Sequence, residues 1–275
     1  LLLTDIKHAF WSNPLQPAYR ADLVAAPARA LPLRWLSSPE QIVEIGAPVW
    51  PTRPTFAYDN ESPVHRALVP AHALANRPVS NEEYRQFVQA GGYREPRWWM
   101  SEGWTLCQEQ QWQHPLYWDD ALAREFTLGG WRALDPHAPV CHLSYFEADA
   151  YARWCDARLP TEFEWEAATA GRALRGRFAD ADALHPGGAE EEGDIVQLFG
   201  DVWEWTSSAY GPYPGFRTFP GNLGEYNGKF MCGQWVLRGG SCATPADHLR
   251  ASYRNFFAPS ARWQFAGLRL ARDAA

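Results

Sequence analysis

The 275-residue chain has no apolar stretch approaching the roughly 18–20 residues that a bilayer-spanning helix needs, so no such span is expected. Its opening Leu1-Leu2-Leu3 gives way at once to Thr4, Asp5 and Lys7, and so forms no signal-peptide core. There is no long basic run, and a formal net charge of −7 sets nucleic acid aside as the main partner. No CxxC pair exists. Cys107, Cys141, Cys155, Cys232 and Cys242 are odd in number and scattered, which reads as reduced thiols in a cytoplasmic protein. No internal repeat is present either. What is plentiful is aromatic: 15 Trp, 14 Phe and 11 Tyr point to irregular segments held by large flat side chains, to an aromatic-lined pocket, or to both.

Leu2, Leu3, Ile6 and Phe10 share one helical face, with no N-cap ahead of them. Residues 1 to about 12 are therefore expected to end a helix begun upstream, with Asn13-Pro14 as its stop. Residues 14–39 are rich in Pro and Ala and read as a linker lying on a neighbouring surface. The expected division is thus 1–39, the end of a helical N-terminal domain plus linker, and 40–275, the main domain. Short β-like runs are expected at 42–45, 66–70, 196–199, 202–205, 235–238 and 268–271. Three helices announce themselves by capping boxes, at Ser80-Asn81-Glu82-Glu83, Ser144-Tyr145-Phe146-Glu147 and Thr161-Glu162-Phe163-Glu164. Gly91-Gly92 and Gly171 supply the stops of the first and third. Segment 172–193 reads as an exposed loop. Segment 209–234 is a long Gly/Pro/aromatic loop of the kind that is functional or a lid.

Four strings in order carry a family resemblance: Pro78-Val79-Ser80-Asn81-Glu82-Glu83-Tyr84, Arg158-Leu159-Pro160-Thr161-Glu162-Phe163-Glu164-Trp165-Glu166, Gly200-Asp201-Val202-Trp203-Glu204-Trp205-Thr206, and Leu237-Arg238-Gly239-Gly240-Ser241. Together they resemble the formylglycine-generating-enzyme, or sulfatase-modifying-factor, superfamily. The resemblance implies an irregular, loop-rich α+β fold related to C-type lectins. The formylglycine-generating enzymes themselves work with two cysteines after the Arg-Gly-Gly-Ser string. Thr244 and Leu249 stand at those places here, so a copper-thiolate oxidase lacks its ligands.

Further strings are similar to the ergothioneine-biosynthesis sulfoxide synthases: Gly224-Glu225-Tyr226-Asn227-Gly228-Lys229-Phe230, Tyr253-Arg254-Asn255-Phe256-Phe257, Arg262-Trp263-Gln264-Phe265 and the opening Leu1–His8. That resemblance implies an enzyme that uses O₂ and non-haem Fe(II) to join a thiol to the imidazole of hercynine, a trimethylated betaine. It also implies an HxxxHxE iron motif on the helix ahead of Leu1. No two of the eight histidines in this chain stand four apart, so no iron ligand is assigned within it, and the chain alone is expected to be inactive without its helical N-terminal domain.

By the same resemblance, Asn255 is a polar substrate contact and Phe256 and Phe257 are aromatic ones; the competing readings are a turn Asn bonded only to backbone and plain core aromatics. Tyr226 is the candidate catalytic tyrosine, or else a pin for its loop; Leu223 stands where better-known members carry the catalytic tyrosine. Members that use γ-glutamylcysteine follow the Asn-aromatic pair with an Asp and, four residues on, an Arg. Phe257 and Ala261 occupy those places, which implies free cysteine as the thiol donor. Asp201 and Glu204 are candidate ligands of a structural Ca²⁺, against an ordinary turn. Arg238, Arg254 and Arg269 read as clamps on carboxylates and carbonyls in the core. The alternative function is a non-catalytic ligand-binding module on the same scaffold.

Overall fold

A computed structural model describes residues 1–24, 27–52, 55–189 and 193–274. Five α-helices, α1 (Leu2–Ser12), α2 (Asn81–Gln89), α3 (Ser101–Glu109), α4 (Tyr145–Trp154) and α5 (Glu162–Ala168), are set among short strands and long irregular segments. The largest sheet has four strands in the order Asn255–Phe257, Trp235–Arg238, Trp203–Ala209, Ala266–Gly267; the last pairs parallel and the others antiparallel. A second sheet brings Trp35–Ser38, His72–Ala75 and Ala271–Asp273 together. This is the expected loop-rich α+β architecture.

The three capped helices form where their start signals lie. Ser80, Ser144 and Thr161 each accept from the third backbone N–H, and Glu83, Glu147 and Glu164 each return a bond to the cap N–H. Each glutamate also holds an arginine: Arg77 on Glu83 and Arg262 on Glu147 at 2.8 Å, and Arg158 on Glu164 at 2.7 Å. Burial pushes the Glu83 and Glu164 carboxyls up, but Arg77 and Arg158 with the cap amides outweigh it and hold both below the usual carboxylate value. α3 was not anticipated, because its N-cap is Met100, which offers no side-chain bond.

Other differences have similar local causes. Trp35–Ser38 is a strand inside the segment read as linker; its partner His72–Ala75 lies far along the chain. The hairpin of Arg124–Thr127 and Gly130–Ala133 was also unforeseen. At 196–199 only Phe199–Gly200 pairs, since Gln197 adopts a positive φ of 56° that interrupts the run. At 268–271 the regular strand begins only at Ala271, which pairs with His72–Ala75; ahead of it the Leu270 and Leu268 carbonyls accept from the Ala75 and Val79 N–H groups.

The aromatic surplus packs the core. Tyr84 stacks on Tyr151 at 5.1 Å, and Trp165 and Trp205 are fully buried with their indole N–H groups on Glu204 and the Leu143 carbonyl. The arginine clamps form as expected. Arg269, fully buried, donates to Glu204 and to the carbonyls of Ala75, Val196 and Gln197, thereby joining both sheets. Arg254 pairs bidentately with Glu162, and Arg238 holds Glu166 and the Ser252 and Ala251 carbonyls.

Candidate functional site

Two adjoining cavities, about 520 and 950 Å³, lie beside the outer strand of the four-stranded sheet and share Leu1, Tyr226, Phe256 and Phe257 as walls. Three elements converge there: the Asn255–Phe257 strand, the long loop that carries Tyr226, and α1. Arg254 fixes the start of the strand through Glu162, and its guanidinium lies 3.9 Å from the centroid of the Tyr213 ring.

The sequence candidates Asn255, Phe256, Phe257 and Tyr226 therefore come together. Asn255 Oδ1 accepts the Phe256 N–H at 3.0 Å, while its Nδ2 has no protein acceptor among the described residues. The backbone bond and the cavity-lining position thus coexist. Phe256 stacks on Tyr210 at 4.1 Å and 8°, with Phe230 and Tyr226 at 5.7 and 5.9 Å. Phe257 packs edge-on to Trp263. Tyr226 is 56% exposed and its hydroxyl has no protein partner among the described residues. Leu223 is exposed and lines neither cavity.

Gln264 was quoted in a string but not picked as a site residue. It is 2% exposed and lines the smaller cavity; its Nε2 donates to the Ala261 carbonyl, and its Oε1 is buried without a protein partner. Asn255 and Gln264, each with an amide atom that has no protein partner among the described residues, thus both line the smaller cavity. Only burial distinguishes this Gln from any other, which is why sequence could not find it. His248 bonds the Tyr253 hydroxyl at 3.0 Å, and burial together with Arg250 lowers its pKa, favouring a neutral ring.

The larger cavity continues along α1, past Asp5, His8 and Ala9, to Ser260, Ala261, Arg262 and Trp263. Phe257 and Ala261 bring no charge to it. The one guanidinium in its lining, Arg262, is paired with Glu147. α1 is seated by Lys7, fully buried, whose Nζ lies 2.7 Å from His142 Nε2 and over the rings of Tyr117 and Phe265. Burial lowers the pKa of both groups. With Nζ donating, the ring proton sits on His142 Nδ1.

Among the described residues no three His, Cys, Asp or Glu side chains converge to offer an iron site. The calcium candidates Asp201 and Glu204 are each engaged by protein donors. Asp201 accepts from Gly187 N–H and Gln197, beside Arg177 at 3.3 Å; Glu204 is fully buried against Arg269 and Trp165. Both carboxylates serve protein donors, and neighbouring guanidiniums supply the positive charge that a cation would bring. Cys242 is buried, which pushes its thiol well above the usual range, and Thr244 lines the smaller cavity where the cysteine enzymes place a thiol.

Fold and site together define an irregular α+β binding scaffold with an aromatic- and amide-lined cavity. The chain belongs to the family of sulfatase-modifying factor enzyme 1-like domains, whose model matches residues 38–195 and 189–274. It is 43% identical over 245 residues to the hercynine oxygenase of Mycolicibacterium thermoresistibile, covering 79% of this chain and 54% of that protein. It is 31% identical to ergothioneine biosynthesis protein 1 of Schizosaccharomyces pombe, covering 79% of this chain and 28% of that one. The chain thus spans about half or less of the length of these curated relatives. Among solved structures, PvdO from Pseudomonas aeruginosa shares the fold, with a TM-score of 0.58 at 18% identity over 87% of this chain and 94% of that one. No helix among the described residues is long and apolar enough to cross a membrane.

Proposed function

We propose that this domain holds the substrates of an O₂- and Fe(II)-dependent synthase that joins a thiol to the imidazole of hercynine in ergothioneine biosynthesis. The observation that carries the reading is the cavity lined by the amide residues Asn255 and Gln264 together with the aromatic Phe256 and Tyr226, in a chain 43% identical to a hercynine oxygenase. A trimethylammonium cannot donate a hydrogen bond and is held best by aromatic faces. An imidazole and a carboxylate both suit amide side chains, which donate and accept.

In this reading the metal is held by the helical N-terminal domain that the resemblance implies; Leu1, the N-cap of α1, lines both cavities. Tyr226, exposed and bordering both cavities, is the proton-bearing group nearest to hand on the loop. The thiol donor is free cysteine: Phe257 and Ala261 bring no charge for the ends of a dipeptide, and the Arg262 guanidinium in the lining is already paired with Glu147.

The test is to express the protein with the coding sequence that precedes Leu1, add Fe²⁺, hercynine and cysteine under air, and look for the hercynine–cysteine sulfoxide by mass spectrometry. Product supports the synthase. No product, with simple binding of hercynine or small betaines, supports a ligand-binding module instead.

A further inference from the structure

The turn Asp59-Asn60-Glu61 is among the most deeply buried polar segments of the molecule, with all three residues 2% exposed or less. Asn60 donates to the Tyr210 hydroxyl and the Arg254 carbonyl, and Glu61 pairs with Arg250 and Ser252. Asp59 differs from its neighbours. Both of its carboxylate oxygens are taken by the long loop: Oδ2 accepts the Phe219 N–H at 3.1 Å and Oδ1 accepts Asn227 Nδ2 at 2.8 Å. No cation pairs with it among the described residues. The two donors bracket the exposed stretch 220–226, and Asn227 directly follows Tyr226. The loop is otherwise lightly held: Gly215, Gly221 and Gly233 all sit in the left-handed region, and Leu223, Tyr226 and Phe230 are exposed.

We propose that Asp59 is the positioning residue of the cavity, a buried latch that fixes the loop carrying Tyr226 and Phe230 against Phe256. A buried carboxylate without a cation depends on its neutral donors, and here those are the loop's own. Releasing the loop would leave that charge unsatisfied, so the latch holds the wall shared by both cavities in one place. The latch itself requires neither substrate nor metal; its kinetic consequence alone rests on the reading of the cavity as the hercynine site.

The experiment uses the full-length protein and an exchange of side chains. In D59N the amide cannot accept from both donors, and in N227D two carboxylates face each other. The double variant D59N/N227D restores both bonds, because the new amide accepts from Phe219 N–H and donates to the new carboxylate. Arg217 and Lys229 lie in or beside the latched segment and give trypsin two sites to report its release. Each single variant, folded by near-ultraviolet circular dichroism, is expected to be cut there about tenfold faster than the parent, and the double variant within about twofold of it. N227A provides the same reading without a like-charge pair should N227D not fold. Parental cleavage rates in the folded singles, or no recovery in the double, would overturn the latch. In turnover, D59N is expected to raise KM for hercynine about tenfold with a smaller fall in kcat; a parental KM with a released loop overturns the positioning role. If the unmodified enzyme forms no sulfoxide, the function reading fails and proteolysis still decides the latch.

Discussion

The arginine-clamped core and the cavity wall treat their polar groups in opposite ways. Around Arg269 each donor has an acceptor and Glu204 is saturated. A few residues along the chain, Asn255 Nδ2 and Gln264 Oε1 have no protein partner among the described residues. Leaving a buried amide oxygen unpaired costs about 1–3 kcal/mol. Other buried side-chain atoms also lack a partner, Arg238 Nε and His142 Nδ1 among them, but Asn255 and Gln264 stand apart in lining the cavity. The contrast is between an Arg269 cluster whose donors are all taken and a cavity wall that keeps amide capacity to spare.

The largest expected effect is in the core. Arg269→Met leaves Glu204 buried and unpaired and should cost about 3–5 kcal/mol in urea unfolding; a loss under about 1 kcal/mol would erase the contrast. Next comes the wall. Asn255→Ala in the full-length enzyme should raise KM for hercynine about tenfold while costing no more than about 1 kcal/mol in urea stability, because the only protein bond lost is the one its Oδ1 accepts from the Phe256 N–H. A fall in stability as large as that of Arg269→Met would make Asn255 part of the frame. The double change F257D/A261R should shift the preference between cysteine and γ-glutamylcysteine toward the dipeptide by about tenfold, read in direct competition. The smallest effect is on acid stability. Glu83 and Glu164 are held below their ordinary value of 4.5, so their contribution is fully present above that pH and is lost as pH falls through their lower folded values. Melting temperature should drop below about pH 4.5, and E164Q should flatten that drop.

What could be read in advance follows the same division. The capped helices were legible because Ser80, Ser144 and Thr161 act within four residues of sequence. The arginine clamps were legible as residue types, though not their partners: Arg269 meets carbonyls about 70 and 194 positions away. Asn255, Phe256, Phe257 and Tyr226 were found by resemblance, and the structure brings them together. Gln264 and Asp59 were not picked out, since an unpartnered oxygen and a latch exist only once distant segments close around them. The protein partners of the calcium candidates were illegible for the same reason. The spacing of Asp201 and Glu204 is silent about Arg177 and Arg269, which arrive from elsewhere.

The paired use of the capping glutamates bears on the order in which the chain assembles. Arg77 and Arg158 stand six residues before Glu83 and Glu164, and each also bonds the carbonyl that follows it, so the capping glutamate of each helix is clamped by a residue close in sequence. Glu147 instead waits for Arg262, 115 residues later. Low contact order favours early formation. We therefore expect α2 and α5 to nucleate first and the start of α4 to be sealed last. Pulsed hydrogen exchange during refolding would detect that order as protection of the Glu83 and Glu164 amides before that of Glu147. Simultaneous protection of all three would mean that the chain closes in a single step.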